Sequence, residues 1–439
     1  MNSGCTATTG LHEIIEVDPN AGWVSLKFIS ASSLKALMFS IDEHPMYIYE
    51  VDGSYIEPQL AESVTIYNGE RYAAMIKLDR AWKDYSIRVP DTQGDQVISG
   101  FATLRYKGAA ADNATPSQPY VDYGGRNTSA SVIPLDNRAI KPYPAVTIPQ
   151  TADQLVNLTI GRTGSSYTWT TSGGGLFDMM ANWDDPILYD INAKDNLDPR
   201  TTIQTKNGTW VDLLLQLGVM PNTSAIQAPH VMHKHSNKAF ILGVGPGFFR
   251  WSSTEQAYAE HPEFFQMENP QMRDTFVTNG LNGPTWMIVR YQVVNPGPFL
   301  FHCHIETHMA NGMAVAILDG VDAWPQVPAG EDQSPDAQVR SVGQDQGIQH
   351  QTTGQDLSNS QDTAPLPFEP LTNMPIPGGR DIWPQAPGMP VGASPARKWR
   401  LHHEEGSIND VVEHWSHRPA GENQRPAPPV GKNYQARQW

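Results

Sequence analysis

The run Phe301-His302-Cys303-His304-Ile305-Glu306-Thr307-His308, with Met313 just beyond it, places one of only two cysteines in the chain between two histidines. In an extended strand successive side chains point to opposite faces, so His302 and His304 share one face and Cys303 takes the other. One strand then addresses two sites. A single thiolate with imidazoles and a weak thioether is the donor set of blue copper electron-transfer centres, because soft sulfur suits copper. Zinc usually needs a second C-x-x-C pair, and the sequence has none.

Upstream, Ala228-Pro229-His230-Val231-Met232-His233-Lys234-His235 repeats the division: His233 and His235 share a parity, and His230 has the opposite one. Laid side by side, the two segments put His230, Cys303, His308 and Met313 around a mononuclear centre. His233, His235, His302 and His304 then face a second, histidine-only cluster, and Cys303 relays electrons to it through its covalent neighbours His302 and His304. A buried histidine taken alone is more often a core residue than a ligand, and Met313 alone would be core filling. A full set of ligands with matched parity is a different matter, since a motif gains its meaning from structural context.

The pair H-x-x-H-x-H and H-C-H-I-x-x-H-x-x-x-x-M resembles the carboxyl-terminal copper signatures of the multicopper oxidases, and the surrounding sequence is most similar to fungal laccase-like members. The resemblance runs over roughly residues 14 to 329 and includes Ser40-Ile41-Asp42-Glu43-His44-Pro45-Met46. It implies a type 1 copper on His230, Cys303 and His308 with Met313 axial. It further implies His233 as a type 2 copper ligand and His235, His302 and His304 as type 3 ligands. The family draws four further cluster histidines from H-W-H-G and H-x-H motifs in an amino-terminal domain. Neither motif occurs here, and before His230 the only histidines are His12 and His44. His44, ahead of Pro45 in a strand-end turn, reads as structural.

The implied function is copper-dependent oxidation of phenols or related aromatic reductants, one electron at a time, coupled to reduction of dioxygen to water. A ferroxidase would use the same frame. The missing histidines open a second reading, an electron-transfer or copper-binding protein with the type 1 centre alone. A third has a partner chain completing the cluster. A zinc hydrolase is disfavoured because H-C-H on one strand splits its ligands between faces.

The remaining composition fits a shortened member of that family. With 439 residues and 39% hydrophobic content, the chain can bury two ordinary cores and still carry a tail. No secretory signal is visible at Met1-Asn2-Ser3-Gly4-Cys5, so Met1 reads as an internal start or a shortened gene product. Sequons at Asn113, Asn127, Asn157, Asn207 and Asn222, together with the resemblance, point to an extracellular, glycosylated ancestor. Cys5 reads as a leftover thiol or half of a cross-link. A net charge of −16 argues against nucleic acid as a partner, because phosphate binding needs a basic face. No apolar run reaches membrane-spanning length.

Short alternating runs such as Trp23 to Ile29 and Tyr85 to Val89, divided by turns at Val51-Asp52-Gly53 and Tyr67-Asn68-Gly69-Glu70, predict an all-β fold. By resemblance it comprises two cupredoxin-like Greek-key β-sandwich or barrel domains, over 13–107 and 149–329. A frayed start occupies 1–12, and an Ala/Asn/Ser/Pro-rich interdomain linker 108–148. Trp286 to Val294 reads as a half-buried strand, and Pro296-Gly297-Pro298 turns the chain into the copper strand. Asn311-Gly312 bends it so that Met313 returns toward the metal. Phe248, Phe249, Trp251 and Phe264 are candidates for a substrate wall, with core packing favoured for each. Residues 330–439 are too poor in aliphatics to offset their ordering entropy and read as a disordered tail. His402-His403 and His414-Trp415-Ser416-His417 fall within it, where only adventitious metal binding is expected.

Overall fold

The computed structural model describes residues 12–326, apart from 93–97, 110–115, 163–167, 172–174, 179–186, 188–196, 219–225 and 228. The expected tail, Cys5, Asn113 and Asn222 lie outside the described residues. Within them the chain is built mainly from strands, most of which form two pairs of packed sheets, with a separate two-stranded sheet of Ile226–Gln227 and Leu281–Asn282.

The first pair comes from residues 13–106. One sheet orders Glu13–Val17, Ser99–Tyr106, Asp84–Pro90, Leu37–Ile41 and Val64–Ile66; the other orders Trp23–Ile29, Arg71–Lys77, Met46–Val51 and Ser54–Ala61. Neighbours in a sheet are often distant in sequence, as in Greek-key connections. In Trp23–Ile29 the alternation sends Val24, Leu26 and Phe28 against the core and leaves Ser25, Lys27 and Ile29 exposed. Asp52 and Gly53, at φ 50° and 78°, make the tight turn between Met46–Val51 and Ser54–Ala61, which requires two positive φ values to match strand twist. His44 is buried in a turn, with Nδ1 2.8 Å from the Asp42 carbonyl and Nε2 2.8 Å from the Tyr106 hydroxyl.

Residues 116–148 form no strand among those described, but they do not merely cross the surface. Ile56 bridges to Pro142 and Ser63 to Pro134, and Val121 and Ile140 are fully buried. A segment rich in small and polar residues is thus anchored by its few aliphatic ones.

The second pair comes from residues 154–319. A six-stranded sheet orders Trp169–Thr170, Gln154–Arg162, Trp210–Leu217, Thr285–Gln292, Ala239–Pro246 and Met272–Arg273. A five-stranded sheet orders Thr202–Gln204, Ala314–Asp319, Gly297–Cys303, Val231–Lys234 and Thr275–Val277. The strand expected to be half-buried, Thr285–Gln292, is buried on both faces. One face joins the core between the two sheets. The other packs Trp286 and Ile288 under Phe249, Trp251 and Phe264, which form a second apolar layer. Phe248 remains exposed. Arg290 is tolerated in this buried strand because Asp212 accepts two hydrogen bonds from it, at 2.6 and 2.7 Å.

The two sheet pairs meet through buried charge. Arg273 reaches Asp52 at 3.1 Å and Glu70 at 2.6 Å, and Thr275 donates to Asp52 at 2.5 Å. The adjacent Arg273 guanidinium holds the Asp52 carboxyl below its usual range even though burial opposes this, while burial pushes Glu70 up.

Candidate metal centre

Both ligand segments lie in the five-stranded sheet, side by side. Val231–Lys234 runs antiparallel to Gly297–Cys303, pairing Met232 with Cys303, His233 with His302 and Lys234 with Phe301. Directly opposed residues of an antiparallel pair project to the same side. His233 and His302 therefore share one face, and Met232, Cys303 and Phe301 enter the core on the other. The division read from parity is present in the sheet.

On the core side, His230, Cys303 and His308 converge. Their ligand atoms all lie within 4.8 Å of one another. Nδ1 of His230 is 3.1 Å from Nδ1 of His308, and Cys303 Sγ is 4.0 and 3.7 Å from those two nitrogens. These spacings leave room at the centre for an ion at the roughly 2.0–2.3 Å that imidazole nitrogen and thiolate sulfur adopt around metals. His230 and Cys303 are 1% and 0% exposed, and His308 is half-buried.

The backbone after Cys303 explains how His308 returns. Sequence reasoning placed no helix here, yet Glu306–Ala310 forms one turn, in which the His308 N–H donates to the Ile305 carbonyl. Gly312, at φ 100°, then reverses the chain, Met313 N–H donates to the His308 carbonyl, and Cys303 N–H donates to the Met313 carbonyl. Met313 is fully buried in the same core cluster as Cys303.

Trp169 completes this group's surroundings. Its ring lies 4.8 Å from that of His230 and 4.4 Å from that of His308, and the Arg162 guanidinium sits 5.4 Å from its centroid. Burial, aided by the charges of His308 and Arg162, lowers His230 to about 3. Burial and Arg162 lower His308 to about 4. Burial pushes the Cys303 thiol up to about 12. Both imidazoles thus offer lone pairs at neutral pH, and an incoming cation would have to displace the thiol proton.

On the other face, ligand atoms of His233, His235 and His302 lie within 4.8 Å of one another. His302 Nδ1–H donates to the Cys303 carbonyl at 2.9 Å, which turns its bare Nε2 toward His235 Nε2, 3.1 Å away. His233 Nδ1–H donates to the Asp274 carbonyl at 2.9 Å. Carbonyl acceptors of this kind fix the tautomer and aim of metal-ligating histidines. Burial brings His235 and His302 down to about 4 and lowers His233 as well. His302 Nε2, with its ring proton held on Nδ1, faces His235 Nε2 at a spacing that lets both nitrogens bind one cation.

His304 belongs to this face but stands beside the triplet. Its ring centroid is 5.9 Å from those of both His233 and His302, and the ring fills the space next to Gly69. His12 lies against Phe101, and His44 is committed to its turn, so neither joins a ligand group. Trp169, Arg162, Asp274, Gly69 and Arg71 escaped sequence reasoning, because each reaches the site across long sequence separations and belongs to no local motif.

Two packed sheet pairs, with a Cys/His group and a His group on opposite faces of one strand pair, define a cupredoxin-like fold with two candidate metal groups. The multicopper oxidase family models match residues 2–109 and 170–323. Together they take in more than half of the chain, which belongs to the multicopper oxidase family. It is 49% identical over 331 residues to the multicopper oxidase GIP1 of Gibberella zeae, covering 75% of this chain and 48% of that one. It is 49% identical over 329 residues to the laccase abr2 of Aspergillus fumigatus, covering 75% and 55%. The chain spans about half the length of the curated relatives it matches. Among solved structures, the laccase of Botrytis aclada superposes with a TM-score of 0.58 at 20% identity, covering 81% of this chain and 62% of that one. That likeness shows the fold. No helix among the described residues is long and apolar enough to cross a membrane.

Proposed function

We propose that this chain carries the electron-accepting half of a laccase-like oxidase: oxidation of small phenolic or aromatic reductants, coupled to reduction of dioxygen to water. The observation that carries this is the strand pair whose two faces hold two distinct ligand groups joined by single peptide links, Cys303 to His302 and Cys303 to His304. His230, Cys303 and His308, with Met313 axial, would hold a type 1 copper; His233 a type 2 copper; His235, His302 and His304 type 3 coppers. Bound copper supplies the one-electron chemistry and the reduction of dioxygen.

The chain's own residues do the rest. His308, half-buried, is better exposed to a reductant than His230, which is buried. Trp169 packs on both rings and keeps water from the thiolate. Cys303, His302 and His304 form the covalent electron path, being ligands of both groups and neighbours in sequence. The carbonyls of Asp274 and Cys303 hold His233 and His302 with Nε2 outward. The four further histidines that a full cluster needs would come from another polypeptide segment or a partner chain. Secretion and glycosylation are part of the same proposal, supported by exposed sequons at Asn127, Asn157 and Asn207.

A specific observation favours a second reading. Among the described residues only His12 and His44 precede His230, and neither approaches a ligand group. The chain alone would then be an electron-transfer or copper-binding protein with the Cys303 group loaded.

Copper per chain, the intense blue thiolate absorption and dioxygen uptake with a dimethoxyphenol, measured together on the protein purified with any polypeptide it retains, separate these readings. Dioxygen consumption with more than one copper per chain supports the oxidase. A blue protein with one copper and no dioxygen uptake supports the carrier. Copper binding without blue absorption defeats both.

A further inference from the structure

The His233/His302 face owes its arrangement to a segment that supplies no ligand. The turn after Val64–Ile66 carries Gly69 at φ 74°, and a Cβ there would come within 2.5 Å of His304 Nε2 and closer to Cδ2. The His304 ring therefore occupies the space that any other residue at position 69 would fill. The turn is tied down independently of the ring. Gly69 N–H donates to the Ser30 carbonyl at 2.9 Å, Asn68 donates to the Ser32 carbonyl at 2.8 Å, and Glu306 N–H donates to the Ser33 carbonyl at 3.0 Å.

Two residues on, Arg71 makes a bidentate pair with Asp274, at 2.6 and 2.7 Å, and also donates to the carbonyls of Gly69 and Asp52 at 3.1 Å each. Asp274 is the residue whose carbonyl accepts from His233 Nδ1. A planar fork gripping both carboxylate oxygens fixes orientation as well as distance. Arg71 thus holds the carboxylate of the residue whose backbone carbonyl meets His233 Nδ1, linking Gly69, Arg71 and His233 through Asp274, and Gly69 also seats His304.

We propose that residues 69–71 are a positioning element for the histidine-only group. Gly69 seats His304, and Arg71, acting through Asp274, locks the tautomer and aim of His233. The first sheet pair, which contributes no ligand, would on this account set the geometry of the open group while leaving the Cys303 group untouched. The inference rests on the reading that this group binds metal, and the test keeps the two apart.

The test uses the full chain with Arg71→Gln, Arg71→Lys and Gly69→Ala, with Asp274→Asn as a milder second route. Arg105→Gln serves as a control that removes an ion pair, to Asp84, elsewhere on the first sheet pair. Two readouts are needed. In metal-free protein, side-chain ¹⁵N NMR reports whether His233 carries its proton on Nδ1. In titrations with Cu(II), paramagnetic resonance of copper lacking the thiolate band reports the open group, and the blue band reports the closed one.

The expected result is loss of the fixed His233 tautomer in Arg71→Gln and a roughly 10- to 100-fold weaker open group in Arg71→Gln and Gly69→Ala. The blue band should be retained, Arg71→Lys intermediate and Arg105→Gln unchanged. An unchanged tautomer and unchanged affinity in folded variants overturns the proposal. So does equal weakening of both groups, which is what a merely structural role would give. If the unsubstituted chain binds no Cu(II) outside the Cys303 group, the cluster reading falls, and the tautomer alone decides the positioning role.

Discussion

The two ligand groups sit on opposite faces of one strand pair, yet they are built on different terms. The Cys303 group is closed: its ligands lie within one sheet pair, roofed by Trp169, with Met313 delivered by a glycine-assisted reversal. The His233 group is open: His235 is exposed, His304 stands aside, and the surrounding grip comes from the other sheet pair. A site completed locally can be encoded in a short motif. A site completed by distant segments depends on how those segments pack, and its failure modes are correspondingly remote.

The strongest way to break the comparison is Cys303→Ser. It should abolish the intense blue absorption entirely while leaving Cu(II) at the open group, as read by paramagnetic resonance. Persistence of the blue band would show that Cys303 is not the thiolate.

Lys234 lies between His233 and His235 in sequence but projects to the core side, where its Nζ meets Asp319 at 3.2 Å with both side chains buried. Lys234→Met leaves Asp319 buried without its cation and should cost about 3–5 kcal/mol in chemical denaturation. Because the strand is shared, both groups should lose copper together. Loss from one group alone would mean that the faces are mechanically independent.

The two groups should also respond differently to pH. A metal would bind the thiolate, and burial pushes the metal-free Cys303 thiol up to about 12, so binding there would release a proton throughout the neutral range. Affinity of the closed group should therefore rise about tenfold per pH unit. His235 and His302, lowered to about 4, are already neutral above pH 5. That pair should therefore exchange no proton on binding metal there, and the open group should show the shallower slope between pH 6 and 8. Competition titrations at pH 6, 7 and 8 check this, and parallel slopes would refute it.

The smallest effect is expected from Met313→Leu. It should raise the reduction potential of the closed group in a redox titration while leaving copper bound, because an axial thioether is a weak ligand. Loss of the metal would make Met313 more than axial.

Much of the closed group was legible in the sequence because strand geometry has a period of two. His302, Cys303 and His304 could only divide as they do once the run was extended, and Pro229 and the Pro296-Gly297-Pro298 turn bracket the two segments. What parity could not reveal was the helical turn Glu306–Ala310 that brings His308 back, since five residues carry no periodic signal. Nor could alternation in Trp286–Val294 reveal burial on both faces. Arg290 looks like an outward residue until Asp212, 78 positions earlier, is seen to neutralise it.

The sequence by itself determined the candidate donor set, the two-faced strand and the all-β class, because these follow from residue type and local period. Only the tertiary structure decided that Gly69 and Arg71 grip the open group, that Trp169 roofs the closed one, and that Arg273 joins the sheet pairs through Asp52 and Glu70. Those contacts are between residues some 60 to 235 positions apart. Nothing local distinguishes such residues from ordinary surface positions until the packing of apolar faces brings their charges together.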